Sequence, residues 1–231
     1  MVFFWDPTYI LIIPAMIFAL YAQARVQGAF AKYSRVSSRR GMRGSEVARE
    51  ILDQSGLREV RIEQIGQDLG DHYDPRAKVL RLSPQVYGGS SLAALGVAAH
   101  ESGHAIQDSM NYLPLAIRHS LVPVANFGSN LAFPLFLIGF IFAGSGLAWL
   151  MTLGIWVFIG VVAFQVVTLP VEYNASSRAL ALLEGGGYLT REEIGHAREV
   201  LNAAALTYLA ATAVAVTQLL RLIILRGSRR D

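Results

Sequence analysis

Two apolar runs that lie close together decide the fold: LVPVANFGSNLAFPLFLIGFIF at residues 121–142 and LAWLMTLGIWVFIGVVAFQVVTL at residues 147–169. Neither run contains a charged residue, and each is long enough to cross a hydrocarbon core of about 30 Å. Gly144, Ser145 and Gly146 lie between them, so the runs predict a tight helical hairpin in a membrane. A buried hairpin of a soluble protein is the alternative, and two adjacent charge-free runs of this length disfavour it.

The composition supports a membrane protein. Of the 231 residues 53% are apolar and 16% are charged, whereas about 25% of the residues of a soluble domain are charged. The formal net charge of +3 resides partly in basic clusters beside apolar segments, which suits an anionic lipid surface better than nucleic acid. The chain has no cysteine, which excludes a disulfide framework and a thiolate metal site.

Two further segments are candidates for membrane helices. Residues 9–24 follow Asp6 and Pro7, and no Lys or Arg precedes this apolar core, so we expect an uncleaved anchor rather than a signal peptide. Residues 203–220 are less apolar and end at Arg221; this segment either spans the membrane or packs at its surface or against the catalytic region. The predicted fold class is a mainly α integral membrane protein with three to four transmembrane helices and a small α+β zincin-like cytoplasmic catalytic region.

The distribution of Lys and Arg predicts the orientation. By the positive-inside rule, the polar region that follows the first segment is cytoplasmic and the N-terminus lies outside. A fourth full span would place three basic residues of the tail outside, against the same rule. The residues concerned are Arg25, Lys32, Arg35, Arg39, Arg40, Arg43 and Arg118 in and beside the polar region, and Arg226, Arg229 and Arg230 in the tail.

On the N-terminal side of the hairpin lies His100-Glu101-Ser102-Gly103-His104. Residues four apart share one face of a helix, so His100 and His104 can present ring nitrogens to one metal ion. Glu101 lies beside that face and can act as a base on water. Zinc lowers the pKa of a water that it binds to about 7. A chance match is the alternative, and it is disfavoured because SSLAALGVAA at residues 90–99 predicts an apolar helix that leads into the motif.

The polar region upstream of this motif predicts a small α+β core. Residues 45–54 form an amphipathic pattern with Ser45 as its N-cap and Gly56 beyond its end. Residues 60–65 and 77–83 alternate as strands do, and a turn at residues 71–75 would join them in a hairpin or meander. In metallopeptidases the sheet edge beside the metal-binding helix often holds extended substrate by strand addition; a purely structural sheet is the alternative.

A catalytic zinc ion usually has three protein ligands and one open position. Gln107 and Met110 stand where a metzincin needs glycine and histidine, so that class is excluded. Of the remaining histidines, His119 lies at a membrane entry, His72 in a predicted turn, and His196 is a weak candidate for a substrate or transition-state contact.

Glu172 is the better candidate for the third ligand. It follows the second apolar run, where a solvated charge at the helix end is the ordinary alternative, but its place at the start of an Ala- and Ser-rich helix favours a ligand role. The other acidic residues downstream lie in a mixed-charge segment that predicts a solvated loop; they are Glu184, Glu192, Glu193 and Glu199.

Three blocks together make the chain similar to a known family. HESGHAIQD at residues 100–108, LPVEYNASSRA at residues 169–179 and AAALTYLAA at residues 203–211 resemble the bacterial membrane-bound neutral zinc metallopeptidases of the YugP type, over nearly the whole chain. The resemblance implies a gluzincin-like site, with one Zn²⁺ ion on His100, His104 and Glu172 and with Glu101 as the base. It also implies a multi-pass protein of the bacterial inner (plasma) membrane, and by the positive-inside rule we expect the active site to face the cytoplasm.

More distantly, the chain resembles the membrane proteases of the CAAX-prenyl-protease and heat-shock-peptidase group. There an Asp commonly lies four residues after the ligand Glu, and here that position is Ser176. A hydroxyl can orient a ligand histidine but carries no charge. Asn174 and Arg178 are candidate substitutes. Tyr208 is a candidate to polarise a carbonyl, although a tyrosine at a membrane interface is the commoner explanation.

The expected function is hydrolysis of peptide bonds in membrane proteins or extended peptides, by Glu-assisted attack of zinc-bound water. The alternatives are an intramembrane zinc protease and a non-catalytic zinc-binding membrane scaffold or adaptor. We expect a protein or peptide substrate and the lipid bilayer as partners, and no nucleic acid; a membrane adaptor and homo-oligomerisation stay open. The expected organisation is an anchor at 1–24, a catalytic region at 25–118, the hairpin at 119–170, a second cytoplasmic segment at 171–200 and an apolar helix with a basic tail at 201–231.

Overall fold

The computed structural model describes residues 7–67 and 70–228; Asp6, Arg229 and Arg230 lie outside them. The chain is mainly helical, with one small sheet. Short 3₁₀ helices cover Pro7–Leu11 and Ala143–Ser145. The helices are α1 (Ile13–Tyr33), α2 (Gly44–Gln54), α3 (Pro84–Tyr87), α4 (Leu92–Ser109), α5 (Leu113–Ile141), α6 (Trp149–Gly185) and α7 (Arg191–Gly227), and the strands are β1 (Arg61–Gln64), β2 (His72–Asp74) and β3 (Val79–Leu82).

Four helical segments of the described chain are long and apolar enough to cross a membrane: Pro7–Tyr33, Leu113–Ile141, Trp149–Gly185 and Arg191–Gly227. The anchor and the hairpin are therefore confirmed as candidate spans, and the fourth segment, which the sequence left open, qualifies as well. The hairpin turns through Ala143–Ser145, and Gly146 follows with a φ of +81°. A backbone in this left-handed region favours glycine, which has no Cβ.

The chain divides into two compact units. The membrane unit consists of Met1–Ala22, Ile117–Leu169 and Thr207–Asp231, and the polar unit of Gln23–Ala116 and Pro170–Leu206. Within the membrane unit a small cluster forms around Phe136, Met151, Ile155 and Leu222. Gly154 lets α6 approach α5 closely, because a Cβ at this position would lie 2.7 Å from the carbonyl oxygen of Ala132. Small residues at such crossings are typical of helices in membranes.

In the polar unit, α2 buries one face against the core. Val47, Ala48, Ile51 and Leu52 are fully buried, and this spacing follows the helical repeat. The predicted N-cap at Ser45 is wrong: the helix begins at Gly44, after Arg43. The backbone N–H of Arg43 donates to the carboxylate of Glu46 at 2.8 Å, which places the cap at Arg43. Glycine at residue 44 allows a close approach to α3, since a Cβ there would lie 2.2 Å from the carbonyl oxygen of Val86.

The sheet has the order β1-β3-β2, and the predicted hairpin is wrong. β1 runs parallel to β3, whereas β2 pairs antiparallel with β3 along its other edge. Part of the predicted turn, His72–Asp74, forms β2. Alternation identified β1 and β3 as strands, but a period of two carries no information on which strand lies between them. The buried pattern of β3 agrees with its central place, since Val79, Leu80 and Leu82 are fully buried.

The mixed-charge stretch that was expected to form a loop is largely helical, because α7 begins at Arg191 and includes Glu192, Glu193 and Glu199. α6 continues through Pro170 to Gly185, so Glu172 lies inside a helix and not at the start of one. The prediction of a solvated Glu193 is also wrong. This residue is buried, and its carboxylate accepts hydrogen bonds from the backbone N–H groups of Thr190 at 2.8 Å and Arg39 at 2.7 Å. Thr190 and Glu193 form a capping box at the start of α7.

Candidate metal centre

The helix that carries the histidine motif forms as predicted. Ser91 caps α4, because its Oγ accepts a hydrogen bond from the backbone N–H of Ala94 at 3.2 Å. The rings of His100 and His104 lie edge to face with their centroids 4.8 Å apart. Candidate ligand atoms of His100, Glu101 and His104 all lie within 4.8 Å of one another. One turn of a single helix thus supplies two imidazoles and a carboxylate.

The side chain of Glu172 in α6 lies beside these two histidines. It belongs to the second part of the polar unit, Pro170–Leu206. Its Oε2 lies 3.2 Å from Nε2 of His100 and 3.6 Å from Nε2 of His104, and the side chain is almost fully buried. Two zinc ligands with bonds of 2.0–2.2 Å in a tetrahedral site are separated by about 3.3 Å. These two separations and the chemistry of the three side chains therefore fit one zinc ion.

The group of His100, Glu101 and His104 is a competing ligand set, because it too gathers a carboxylate and two imidazoles. The contacts of Glu172 with Nε2 of the two histidines, at 3.2 and 3.6 Å, lie on either side of the separation expected of two zinc ligands. The geometry therefore supports Glu172 as a candidate third ligand, and Glu101 would then lie beside the ion. This is the arrangement in which a carboxylate can act as a base.

A close crossing of α4 and α6 brings the ligands together. Gly103, the fourth residue of the motif, lies against α6, and a Cβ at this position would lie 2.9 Å from the carbonyl oxygen of Ala175. Ala175 and Ala179, on the facing side of α6, are fully buried. A larger residue at the crossing would separate the helix of the two histidines from the helix of Glu172.

The protein around the site perturbs its titratable groups. Burial raises the pKa of Glu101, while the neighbouring His104 and His100 act in the opposite direction. Burial by itself would lower the pKa of His104, but hydrogen bonding and charge from Glu172 and the charge of Glu101 outweigh it, so that this pKa is raised. A carboxyl whose pKa moves toward neutrality is suited to exchange protons at physiological pH.

A second layer of hydrogen bonds surrounds the two imidazoles. Ser176 lies with its Oγ 3.1 Å from Nδ1 of His100, as expected for a residue that orients this ring. Oε1 of Gln107 lies 3.0 Å from Nδ1 of His104. Asn174 and Arg178 also belong to this layer, because Oδ1 of Asn174 accepts hydrogen bonds from Arg178 and from Gln107.

Gln107 is the residue of this layer that the sequence analysis missed, having used it only to exclude a metzincin. A signal was available, because Gln107 is three residues after His104 and so lies on the same helix face. Its side chain is fully buried. An amide that is buried beside a ligand histidine needs several hydrogen-bond partners, and the imidazole is one of them.

The remaining candidates lie elsewhere. His196 belongs to α7 and stacks on Tyr33 with ring centroids 5.0 Å apart; it is not a member of the metal-binding group found among the described residues. Tyr208 belongs to the membrane unit. His72 is exposed in β2, as expected of a surface residue, and His119 lies in α5.

Strand β2 is tied directly to the metal-binding helix. The hydroxyl of Tyr73 donates a hydrogen bond to Oδ2 of Asp108 in α4 at 2.9 Å. At the start of β2, Asp71 accepts hydrogen bonds from the backbone N–H of Ser83 at 2.7 Å and from its hydroxyl at 3.0 Å. An edge strand is thereby fixed alongside the helix that carries Glu101.

The fold and the site together define a class: a helical membrane protein whose polar unit carries a histidine–glutamate centre suited to zinc. The chain belongs to the family described as putative neutral zinc metallopeptidase, whose model matches residues 8–227. It is 44% identical over 221 residues to the putative membrane protease YugP of Bacillus subtilis (strain 168), covering 96% of this chain and 97% of that protein. No solved structure matches the chain significantly.

Proposed function

We propose that this protein is a membrane-embedded zinc-dependent endopeptidase. The observation that carries the proposal is the position of Glu172, whose Oε2 lies 3.2 and 3.6 Å from Nε2 of the two histidines of the motif. Membership of a family of zinc metallopeptidases supports the same conclusion. The similarity to a membrane protease and the four apolar helices support a location in a membrane.

Three residues would bind the metal ion, and a fourth would transfer the proton. His100 and His104 would hold one zinc ion through Nε2, and Glu172 through Oε2. Zinc at such a site lowers the pKa of water and polarises a carbonyl group. Glu101 takes the proton of the attacking water and delivers it to the amine nitrogen that leaves. Its raised pKa, caused mainly by burial, suits a group that must accept and then release a proton.

The substrate side of the proposal rests on β2. It is an edge strand of the sheet, and the hydrogen bond between Tyr73 and Asp108 ties it to the metal-binding helix. An extended peptide can add to such an edge through main-chain hydrogen bonds. We therefore propose extended peptides, or extended segments of membrane proteins, as substrates.

A contact within the membrane unit bears on the orientation of the protein in the membrane. Arg221 of α7 donates a hydrogen bond from Nε to Oγ1 of Thr8 at 3.1 Å, and its guanidinium lies 3.7 Å from the ring centroid of Tyr9. The start of the first membrane helix and the end of the last one thus lie together, as four spans require. The polar region carries more basic residues than the tail, and this excess outweighs the tail arginines that a fourth span places outside. We therefore propose that the polar unit faces the cytoplasm of a bacterial cell, and that the first membrane helix begins and the last one ends on the outer side.

Metal content and proteolysis of the detergent-purified full chain test the proposed function. We expect wild type to hold one zinc ion and to cleave casein, Glu101→Gln to keep zinc and lose cleavage, and Glu172→Ala to lose zinc. Glu184→Ala is the matched control, because this exposed residue lies on the same helix; it should keep both. A wild-type protein that binds zinc but cleaves no peptide would favour the scaffold alternative, and full zinc content in Glu172→Ala would refute the ligand set.

A further inference from the structure

A continuous chain of hydrogen bonds runs from the surface of α6 to His104. Nε of Arg178 donates to Oδ1 of Asn174 at 2.8 Å, and Nε2 of Gln107 donates to the same oxygen at 3.0 Å. The second hydrogen of the Gln107 amide goes to the backbone carbonyl of Val171 at 2.9 Å. Oε1 of Gln107 then faces Nδ1 of His104 at 3.0 Å.

The donor and acceptor at each hydrogen bond of this series are fixed by Arg178, because its guanidinium can only donate. A guanidinium has no acceptor atom, so the atom of Asn174 that faces Arg178 must be the carbonyl oxygen. That oxygen also faces the side-chain amide of Gln107. The backbone carbonyl oxygen of Val171, a second acceptor, faces the same atom of Gln107. The atom of Gln107 between these two acceptors must therefore be the amide nitrogen.

The carbonyl oxygen of Gln107 is left to face His104. A flipped Gln107 amide would set its oxygen against the two acceptors and its NH₂ group against the imidazole, which would leave buried polar atoms unsatisfied at a cost of about 1–3 kcal/mol each. A flipped Asn174 would set its NH₂ group against the N–H of Arg178. The series of hydrogen bonds thus has one self-consistent arrangement of donors and acceptors. In this arrangement Nδ1 of His104 carries a hydrogen.

We propose that Arg178, Asn174 and Gln107 act as positioning residues that keep the hydrogen of His104 on Nδ1 and so leave the lone pair of Nε2 for the metal ion. This inference rests on the proposed metal site and deepens it. The hydrogen of a neutral imidazole resides on one nitrogen only, and the partner of the other nitrogen decides which one can bind a metal. Without Gln107, His104 would be free to carry its hydrogen on the nitrogen that faces Glu172.

The other ligand histidine offers an internal contrast. Nδ1 of His100 faces the hydroxyl of Ser176, and a hydroxyl can donate or accept. Ser176 therefore orients the ring of His100 without fixing the place of its hydrogen. The hydrogen bonds therefore fix the tautomer of His104 but not that of His100.

Zinc affinity, measured by competition with a chelator on the full chain in detergent, gives the first test. We expect Gln107→Met to weaken zinc binding by about 10- to 100-fold, the range usual for a partner of a ligand histidine. Arg178→Met should weaken it severalfold, and Arg178→Lys should restore it, because an ammonium also only donates. Asn174→Asp should bind nearly as wild type, because a carboxylate still accepts both hydrogen bonds.

The position of the hydrogen gives a second readout that needs no zinc and no activity. Nitrogen-15 spectra of the histidine rings of the metal-free protein, recorded at a pH high enough for His104 to be neutral, separate protonated from unprotonated ring nitrogens. The protein has five histidines, so a His104→Asn variant assigns the signal. We expect a protonated Nδ1 on His104 in wild type and in Arg178→Lys, and a mixture of the two tautomers in Arg178→Met.

The outcomes separate the two proposals. A His104 with an unprotonated Nδ1 in the wild-type protein would overturn the positioning role even if zinc binds tightly. A folded Gln107→Met variant with wild-type zinc affinity would overturn it as well. If Gln107→Met fails to fold, the Arg178 pair decides, and equal affinities for methionine and lysine count against the inference. A wild-type protein that binds no zinc refutes the proposed function, while the spectra still report which ring nitrogen of His104 carries the hydrogen.

Discussion

The two units of this chain treat their apolar side chains in opposite ways. In the polar unit Leu80 and Leu95 are fully buried, whereas in the membrane unit Leu20 and Phe127 are exposed over 70% and 76% of their surface. Water drives apolar groups together in the first case. Lipid tails are as apolar as leucine, so helices in a bilayer associate by close packing rather than by removal of apolar surface. A leucine in the polar unit therefore stabilises the fold by its burial, whereas an exposed leucine in the membrane unit provides a surface that lipid can solvate.

Truncation of one leucine in each unit tests this difference, and it should give the largest effect. Leu95→Ala in α4 leaves a cavity in the core of the polar unit and should lower the free energy of unfolding by about 2–5 kcal/mol. Leu20→Ala, at the exposed position in α1, should change it by less than about 0.5 kcal/mol. Denaturant unfolding in detergent measures both. Equal losses would mean that Leu20 is buried in the folded protein and that the contrast is wrong.

A charge at an exposed position in the middle of the same apolar segment sharpens the comparison. Ile17 lies near the middle of the apolar residues 9–24 and is exposed, and Arg at the centre of a membrane helix costs about 2.5–3.5 kcal/mol in membrane insertion. Ile17→Arg should therefore reduce the fraction of protein that inserts into the membrane. Val36→Arg, at an exposed apolar residue of the polar unit, should insert as wild type. Fractionation of membranes measures the inserted share, and normal insertion of Ile17→Arg would contradict a lipid-facing position.

Glycine also has different roles at two positions of one helix. Gly103 meets the backbone of α6 so closely that a Cβ would lie 2.9 Å from the carbonyl oxygen of Ala175, whereas a Cβ at Gly96 would lie 3.8 Å from the Cβ of Ala197, an ordinary contact. Gly103→Ala should cost about 1–3 kcal/mol by overpacking and weaken zinc binding, because α4 and α6 must separate. Gly96→Ala should be neutral or stabilising by about 0.5–1 kcal/mol. Thermal unfolding and chelator competition measure the pair, and equal zinc affinities would show that the crossing does not set the ligand spacing.

The parts of the structure that local pattern determines were predictable. The four apolar segments, α4 and the face shared by His100 and His104 follow from length, hydropathy and a spacing of four residues. Ser176 was identified through the distant family resemblance, as the residue four positions after Glu172, with Asn174 and Arg178 as candidate substitutes, and all three lie in the hydrogen-bonded surroundings of the candidate metal centre. Each of these features depends on residues that are near in sequence.

The parts that depend on partners distant in sequence were not predictable. The place of β2 at the edge of the sheet is set by β3, and alternation carries no information on strand order. The tie of Gln107 to Val171 and Asn174 joins residues more than 60 positions apart, so only the crossing of α4 and α6 reveals it. Glu193 was expected to be solvated because its neighbours are charged, yet Arg39, 154 positions away, supplies a backbone donor.

The capping box of α7 provides the smallest test of the contrast between local and distant determinants. Thr190 accepts from the backbone N–H of Glu193 at 3.4 Å, a long and weak hydrogen bond, whereas Glu193 accepts two backbone hydrogen bonds at 2.7 and 2.8 Å. Thr190→Ala removes only the weak bond and should cost about 0.5–1 kcal/mol, at the low end for an N-cap. Glu193→Ala removes the acceptor of two backbone N–H groups, those of Arg39 and Thr190, and should cost about 1–3 kcal/mol at about 0.5–1.5 kcal/mol for each hydrogen bond. Denaturant unfolding of both variants measures the difference. If Thr190→Ala costs as much as Glu193→Ala, the local cap, and not the long-range tie to Arg39, fixes the start of α7.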